Sequence, residues 1–280
     1  MITVCSITGS HVVISFFSRV GKKVVLTKSL QTLSLVGQYP ALFGMLVSEY
    51  AVKTVRILVS ERDAYLKCFL LPKGTVVTRD AVIQKAKEVI PETIDERCMD
   101  WRQVDIKGDG VGVQVYVVKK DILMPMFEAA AHAGITVECV EPPSFAMSHA
   151  FSSHESSLIV YPEKDPKYIF AVHNGTILEV MRIDEGTNVE DARKTMVAYI
   201  DRVWAVPLKM TAPHVPDPAL GLAMKKETIG HDNTILNVPV HGNELPVATR
   251  PSRVIPLLIG IFAVEFIGVC IWFWVHYMGK

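Results

Sequence analysis

The sequence has 280 residues, half of them hydrophobic and 21% charged, the profile of a packed globular chain of about two domains rather than a disordered one. Lys+Arg and Asp+Glu both number 29, so bulk charge gives no reason to expect nucleic acid as a partner. The five cysteines, Cys5, Cys68, Cys98, Cys139 and Cys270, show no CxxC or CxxH spacing, which argues against a zinc site and suits buried, reduced thiols.

The chain opens without a basic stretch ahead of an apolar run, so no signal peptide is expected and the front should stay where it is made. Residues 3–17 are rich in β-branched side chains, Gly21-Lys22-Lys23 reads as a turn and 24–28 returns, a β-hairpin. Residues 40–50 carry helical spacing in Ala41, Leu42, Met45 and Leu46, and a strand follows at 55–59. The next unit runs over 64–141. A strand at 65–71 ends at Pro72, and a helix at 78–89 has Thr78 as its N-cap and Pro91 as its stop. Strands at 97–105 and 111–118 flank Lys107-Gly108-Asp109-Gly110. A helix at 121–133 is closed by Gly134, and a strand follows at 135–140. The order β-α-β-β-α-β predicts a small two-layer module.

Beyond it come a short helix at 144–150 and a strand at 158–161. A hairpin joins 168–172 to 177–183 across Asn174-Gly175, and Asn188 caps a helix at 189–204. One more strand is expected within 205–211 and a helix at 218–226. Residues 227–253, with rising proline content and fading periodicity, read as a linker.

Residues 254–277, VIPLLIGIFAVEFIGVCIWFWVHY, predict a transmembrane helix, since about 24 residues span ~36 Å. Arg250 and Arg253 precede the segment and only Lys280 follows it, so the N-terminal side should face the cytoplasm with a very short tail outside. Trp272 and Trp274 fit an aromatic belt at the far interface. Glu265 sits near the middle, where an ionisable group costs a few kcal/mol unless paired or protonated. Contact with another membrane helix is the expected role.

The order of elements also carries a resemblance. Residues 59–104, with Leu71-Pro72, Pro91 and Asp100-Trp101, resemble the inserted subdomain of the PilM family, actin-like FtsA-related proteins of type IV pilus assembly. The stretch AAAHAGITVECVEPPSFAMSHAF, with Glu141, Pro142, Phe145 and Ala146, is similar to the family's next element. The hairpin at 168–183 resembles its second phosphate region, and ALGLAMK at 219–225 its closing motif. Each motif is loose, but their order is specific and covers most of 1–225. The resemblance implies an α/β, degenerate actin-like (ribonuclease H-like) fold. Residues 1–63 would begin the first subdomain, 64–141 would be the inserted subdomain and 142–226 a shortened second subdomain, with the linker and the C-terminal transmembrane helix after them.

The departures from that family bear on chemistry. Its ATP-binding members open with an Asp-Ile-Gly loop, whereas this chain has Ser6-Ile7-Thr8-Gly9-Ser10, leaving Gly9 and Ser10 as remnants of a phosphate loop. The second loop reads Val160-Tyr161-Pro162-Glu163-Lys164-Asp165, where Pro162 removes an N–H donor, and the late Gly-Gly turn is missing. No cofactor and no ATP hydrolysis are therefore expected. The alternative is an actin-like ATP-binding protein or ATPase with divergent loops, in which Glu163, Asp165 or Asp184 would serve Mg²⁺.

An actin-like domain followed by one membrane helix is also similar to the GspL-type protein of type II secretion. The two resemblances together imply an adaptor anchored in a bacterial inner membrane. It would dock an assembly ATPase and inner-membrane platform subunits, as a hetero- or homo-oligomer. No HExxH, GxSxG or GxxxxGK[ST] pattern supports another enzyme, and His149 and His154 read as part of a polar helix end.

Overall fold

A computed structural model describes residues 1–8, 11–32, 38–91, 93–95, 98–104, 110–151, 156–161, 167–208 and 217–225. All of them belong to the first of the two units into which the chain divides, Met1–Val240.

The first layer is a five-stranded sheet in the order β3-β2-β1-β4-β8. Strands β1 (Ile2–Thr8), β2 (His11–Val20) and β3 (Lys23–Thr32) form an antiparallel meander. The stretch expected as one strand over 3–17 is thus two, β1 and most of β2, with β3 as the third. Gly9 and Ser10 sit between β1 and β2, and a β-rich run with one small break reads the same either way. The expected turn is present, with Val20 paired to Lys23 and Gly21 at φ 61.

Helix α1 (Tyr39–Tyr50) then crosses back to β4 (Thr54–Val59), which runs parallel to β1. A parallel neighbour needs such a crossover, and Ala51, at φ 51, ends the helix in a left-handed cap. One sheet face packs Cys5, Ile57 and Phe16 against Leu42, Phe43 and Leu46 of α1.

A three-stranded antiparallel sheet follows, in the order β5-β7-β6. Its strands are β5 (Ala64–Pro72), β6 (Met99–Val104) and β7 (Gly110–Val118). Helix α2 (Arg79–Val89) packs on β5 and β7 and is capped as expected, with Thr78 Oγ1 accepting from Ala81 N at 3.2 Å. Helix α3 (Lys120–His132) does not return to this sheet. It lies against α1 and leads into β8 (Thr136–Glu141), which pairs parallel with β4. The module expected over 64–141 therefore closes on the first sheet. Local periodicity predicts a strand at 135–140 but carries no record of which edge it joins.

The third sheet, β11-β10-β9, consists of β9 (Ser156–Tyr161), β10 (Lys167–His173) and β11 (Thr176–Ile183). Asn174 and Gly175 both have positive φ, the geometry that an Asn-Gly hairpin turn demands. Helix α5 (Val189–Trp204) covers this sheet with Ala192, Met196, Ile200 and Trp204. Asn188 accepts from Glu190 N at 2.8 Å, as expected of a cap. No strand forms over 205–208, the described part of the segment where one was expected. Ala205 is instead the left-handed C-cap of α5, and Val206 is buried with Ile200 and Trp204.

Two short helices complete the fold. Helix α4 (Pro143–Met147) follows β8, and α6 (Pro218–Met224) packs on α4 and on the second face of the first sheet. There Val4, Phe17, Leu58 and Cys139 meet Ala219, Leu222 and Ala223. A Cβ on Gly221 would stand 2.3 Å from the Ala146 carbonyl oxygen, so glycine is what lets α6 sit this close to α4. Among the described residues no helix is long and apolar enough to cross a membrane. The expected transmembrane segment, 254–277, lies outside them.

Candidate functional site

Two features stand out: a buried ion network where the closing elements meet, and a cleft on the inserted sheet. The network centres on Glu141, at the end of β8, which is 0% exposed. Its Oε1 accepts from Lys225 Nζ at 2.5 Å, and its Oε2 is 2.9 Å from His149 Nε2. Burial by itself pushes the Glu141 carboxyl up, but the Lys225 ammonium and His149 outweigh that and hold it at about 2. Burial likewise disfavours the charged Lys225, and Glu141 reverses the effect, raising its pKa.

Asp100, on β6, lies in the same surroundings. Its Oδ1 accepts from Trp101 N at 2.8 Å, and burial raises its carboxyl to about 7 against the pull of Lys225. Arg102 spreads across the neighbouring elements. It donates to Gln114 Oε1 at 2.7 Å and Ser148 Oγ at 3.0 Å, and its guanidinium lies 4.5 Å from the Phe145 ring centre.

Arg56, on β4, completes the closure. Its Nη1 donates to the carbonyls of Leu222, Ala223 and Lys225, and its Nε to Glu138 Oε2 at 2.7 Å. The last carbonyls of α6 are thus satisfied by a cation from the sheet. The point where the described chain ends, Lys225, is fixed by Glu141 from one side and Arg56 from the other.

In parallel α/β sheets ligands gather beyond the carboxyl ends of the strands. Two carboxylates stand at those ends here, and both are engaged within the chain. Glu141 is held as above. Glu61, after β4, accepts from Ser144 N at 2.9 Å and Ser144 Oγ at 2.6 Å, capping α4. Among the described residues no group of acidic, histidine or cysteine side chains could hold a metal ion.

The cleft, of about 750 Å³, runs between the inserted sheet and the start of α3. Tyr65, Ile94, Val117 and Met124 give it apolar walls, and Lys119 and Asp121 stand at its rim, where Lys120 pairs with Asp95 at 3.1 Å. Pro125, inside α3, has no N–H to donate, so the Asp121 carbonyl beside the cleft lacks its usual helical partner. A concave apolar surface with polar groups at its margin is suited to a largely apolar ligand group.

The residues singled out from the sequence fall elsewhere. Gly9, Ser10, Glu163, Asp165, His154, Arg250, Arg253, Glu265, Trp272 and Trp274 all lie outside the described residues. Asp184 is exposed and pairs with Arg182 at 3.2 Å. His149, read as part of a polar helix end, is instead a partner of Glu141. The sequence signalled Glu141 only through the Glu-Pro-Pro motif, and gave no sign that Lys225, 84 residues later, would be its counter-ion.

No protein-family model matches the sequence, and no curated protein matches it. Solved structures do. A chain of the PilM–PilN type IV pilus biogenesis complex is similar over 80% of this chain and 68% of its own, with a TM-score of 0.52 and 14% identity. The cytoplasmic domain of EpsL, an inner-membrane component of the type II secretion system of Vibrio cholerae, is similar over 79% of this chain and 92% of its own. There the TM-score is 0.49 and the identity 12%. A Bacteroides thetaiotaomicron protein described as having an actin-like ATPase fold gives 0.43 at 10% identity. The described chain has the mixed α/β, actin-like fold seen in the PilM–PilN complex.

Proposed function

We propose that this protein is a membrane-anchored adaptor of a type IV pilus or type II secretion-like assembly machine, docking other subunits without hydrolysing ATP. The observation that carries this reading is the cleft on the inserted sheet, in a fold shared with a pilus-biogenesis complex. An extended segment of an inner-membrane platform subunit would lay apolar side chains along Tyr65, Val117 and Met124, and an acidic residue beside it would meet Lys119. An assembly ATPase would dock on the same cytoplasmic unit. Segment 254–277 would hold the unit at the inner membrane, with Glu265 meeting a partner helix.

Two features support the non-hydrolytic part. The phosphate-loop sequences lack the Asp that would hold Mg²⁺ through water, and Glu61 and Glu141 are committed to internal partners. A calorimetric titration of the full chain with ATP and Mg²⁺ tests this. The adaptor reading predicts no saturable heat at millimolar nucleotide, and micromolar binding with phosphate release would replace it with the ATPase reading. Co-purification from membranes tests the adaptor role: an assembly ATPase or platform subunit is expected with the wild type and reduced with Met124→Glu.

A further inference from the structure

The β2–β3 hairpin carries a charge pattern that the docking cleft does not use. The first acidic residue of the sequence is Glu49, so Arg19, Lys22, Lys23 and Lys28 face no acid of their own segment. Among the described residues none of the four is paired with a carboxylate. Lys28 rests over the Tyr50 ring at 4.8 Å, and Glu138, the acid among the residues that line the cleft with Arg19, is taken by Arg56. Between these cations the hairpin exposes Val20 by 64%, Val25 by 45% and Leu26 by 49%. Basic and large apolar side chains interleaved at one tip suit the anionic headgroup zone of a bilayer.

The position of the hairpin points the same way. Arg19 and Lys225 line one cleft of about 530 Å³, so the described chain ends beside the Arg19 strand of the hairpin. About 28 residues then separate it from segment 254–277, a tether of at most ~100 Å. We infer that the tip of the hairpin, with Arg19 and Leu26 on one face, Val20, Lys23 and Val25 on the other and Lys22 at the turn, enters the headgroup zone of the anionic cytoplasmic leaflet edge-on and holds the unit against the membrane. The inference rests on the anchoring role of 254–277. A second copy pairing along β3 is a poorer occupant: this outer edge is free among the described residues, but its lysines would approach those of the copy.

The test uses the full chain reconstituted into vesicles of phosphatidylcholine alone or with 30% phosphatidylglycerol. An environment-sensitive fluorophore is placed at Val20→Cys, and alkaline extraction checks retention of the chain. With phosphatidylglycerol the probe should shift to the blue and be quenched by spin-labelled headgroups. That signal should fall steeply between 50 and 500 mM salt. Reversing Arg19, Lys22 and Lys23 to Glu removes three attractive charges, each worth roughly fivefold, and should lower lipid contact by at least about 100-fold. A retained chain whose probe responds identically in both lipids overturns the inference and leaves the anchor intact. Loss of the chain on extraction overturns the anchoring role and the inference with it. A probe shift that requires an added acidic protein, and not lipid, overturns the lipid contact in favour of a protein one.

Discussion

Replacing Glu141 with Gln should cost about 3–5 kcal/mol of stability at pH 7, the usual consequence of stripping one partner from a buried ion pair. The figure follows from burial. Glu141 is fully enclosed and accepts from both Lys225 and His149, so Gln strips a largely buried ammonium of the anion it is hydrogen-bonded to. Against a total of about 5–15 kcal/mol for a domain, that is a large share. The carboxyl is held at about 2, below the ordinary value of 4.5, so its stabilisation is complete above pH 4.5 and is lost as pH falls through 2. Urea unfolding of the purified full chain in mild detergent, followed by tryptophan fluorescence, reads the difference. A Glu141→Leu/Lys225→Met pair should recover much of it, because removing both charges removes the unpaired one. A single variant within about 1 kcal/mol of wild type would refute the view that this network holds α6 in place.

Asp100 should behave in the opposite sense with pH. Its carboxyl is raised to about 7, so the fold is favoured below the ordinary value of 3.8 and loses up to roughly 4 kcal/mol as pH rises through 7. Asp100→Asn should therefore stabilise the chain at pH 8 and leave it nearly unchanged at pH 4, as unfolding midpoints at the two pH values would show. Gly221→Ala places a Cβ 2.3 Å from the Ala146 carbonyl oxygen. It should push α6 off α4 at a cost of about 1–3 kcal/mol and open 217–225 to limited proteolysis. Thr78→Ala removes the cap on Ala81 N and should cost about 1 kcal/mol in thermal unfolding.

Much of this architecture is legible from local signals. Thr78, Asn188 and Asn174-Gly175 are punctuation whose chemistry acts within a few residues, and each sits where the sequence places it. The pairing of β8 with β4 is not legible in that way, because a strand's edge partner is decided by packing across the whole sheet. The Glu141–Lys225–His149 network is illegible for the same reason: its members belong to β8, the end of α6 and the end of α4, and only the closed fold brings them together. The cleft is lined by segments far apart in the chain, Tyr65 on β5, Val117 on β7 and Met124 and Pro125 on α3, and no local periodicity records their meeting. The resemblance at Leu71-Pro72 and Asp100-Trp101 carried the fold, since it encodes long-range order that spacing alone lacks.

The adaptor role turns on what occupies the cleft. A photoreactive amino acid at position 124 of the full chain, activated in native membranes, tests it most directly. The account predicts a cross-link from position 124 to a platform subunit, abolished by charge reversal at Lys119. Recovery of the chain uncross-linked, while the same probe at an exposed α5 position reacts in equal measure, would contradict it.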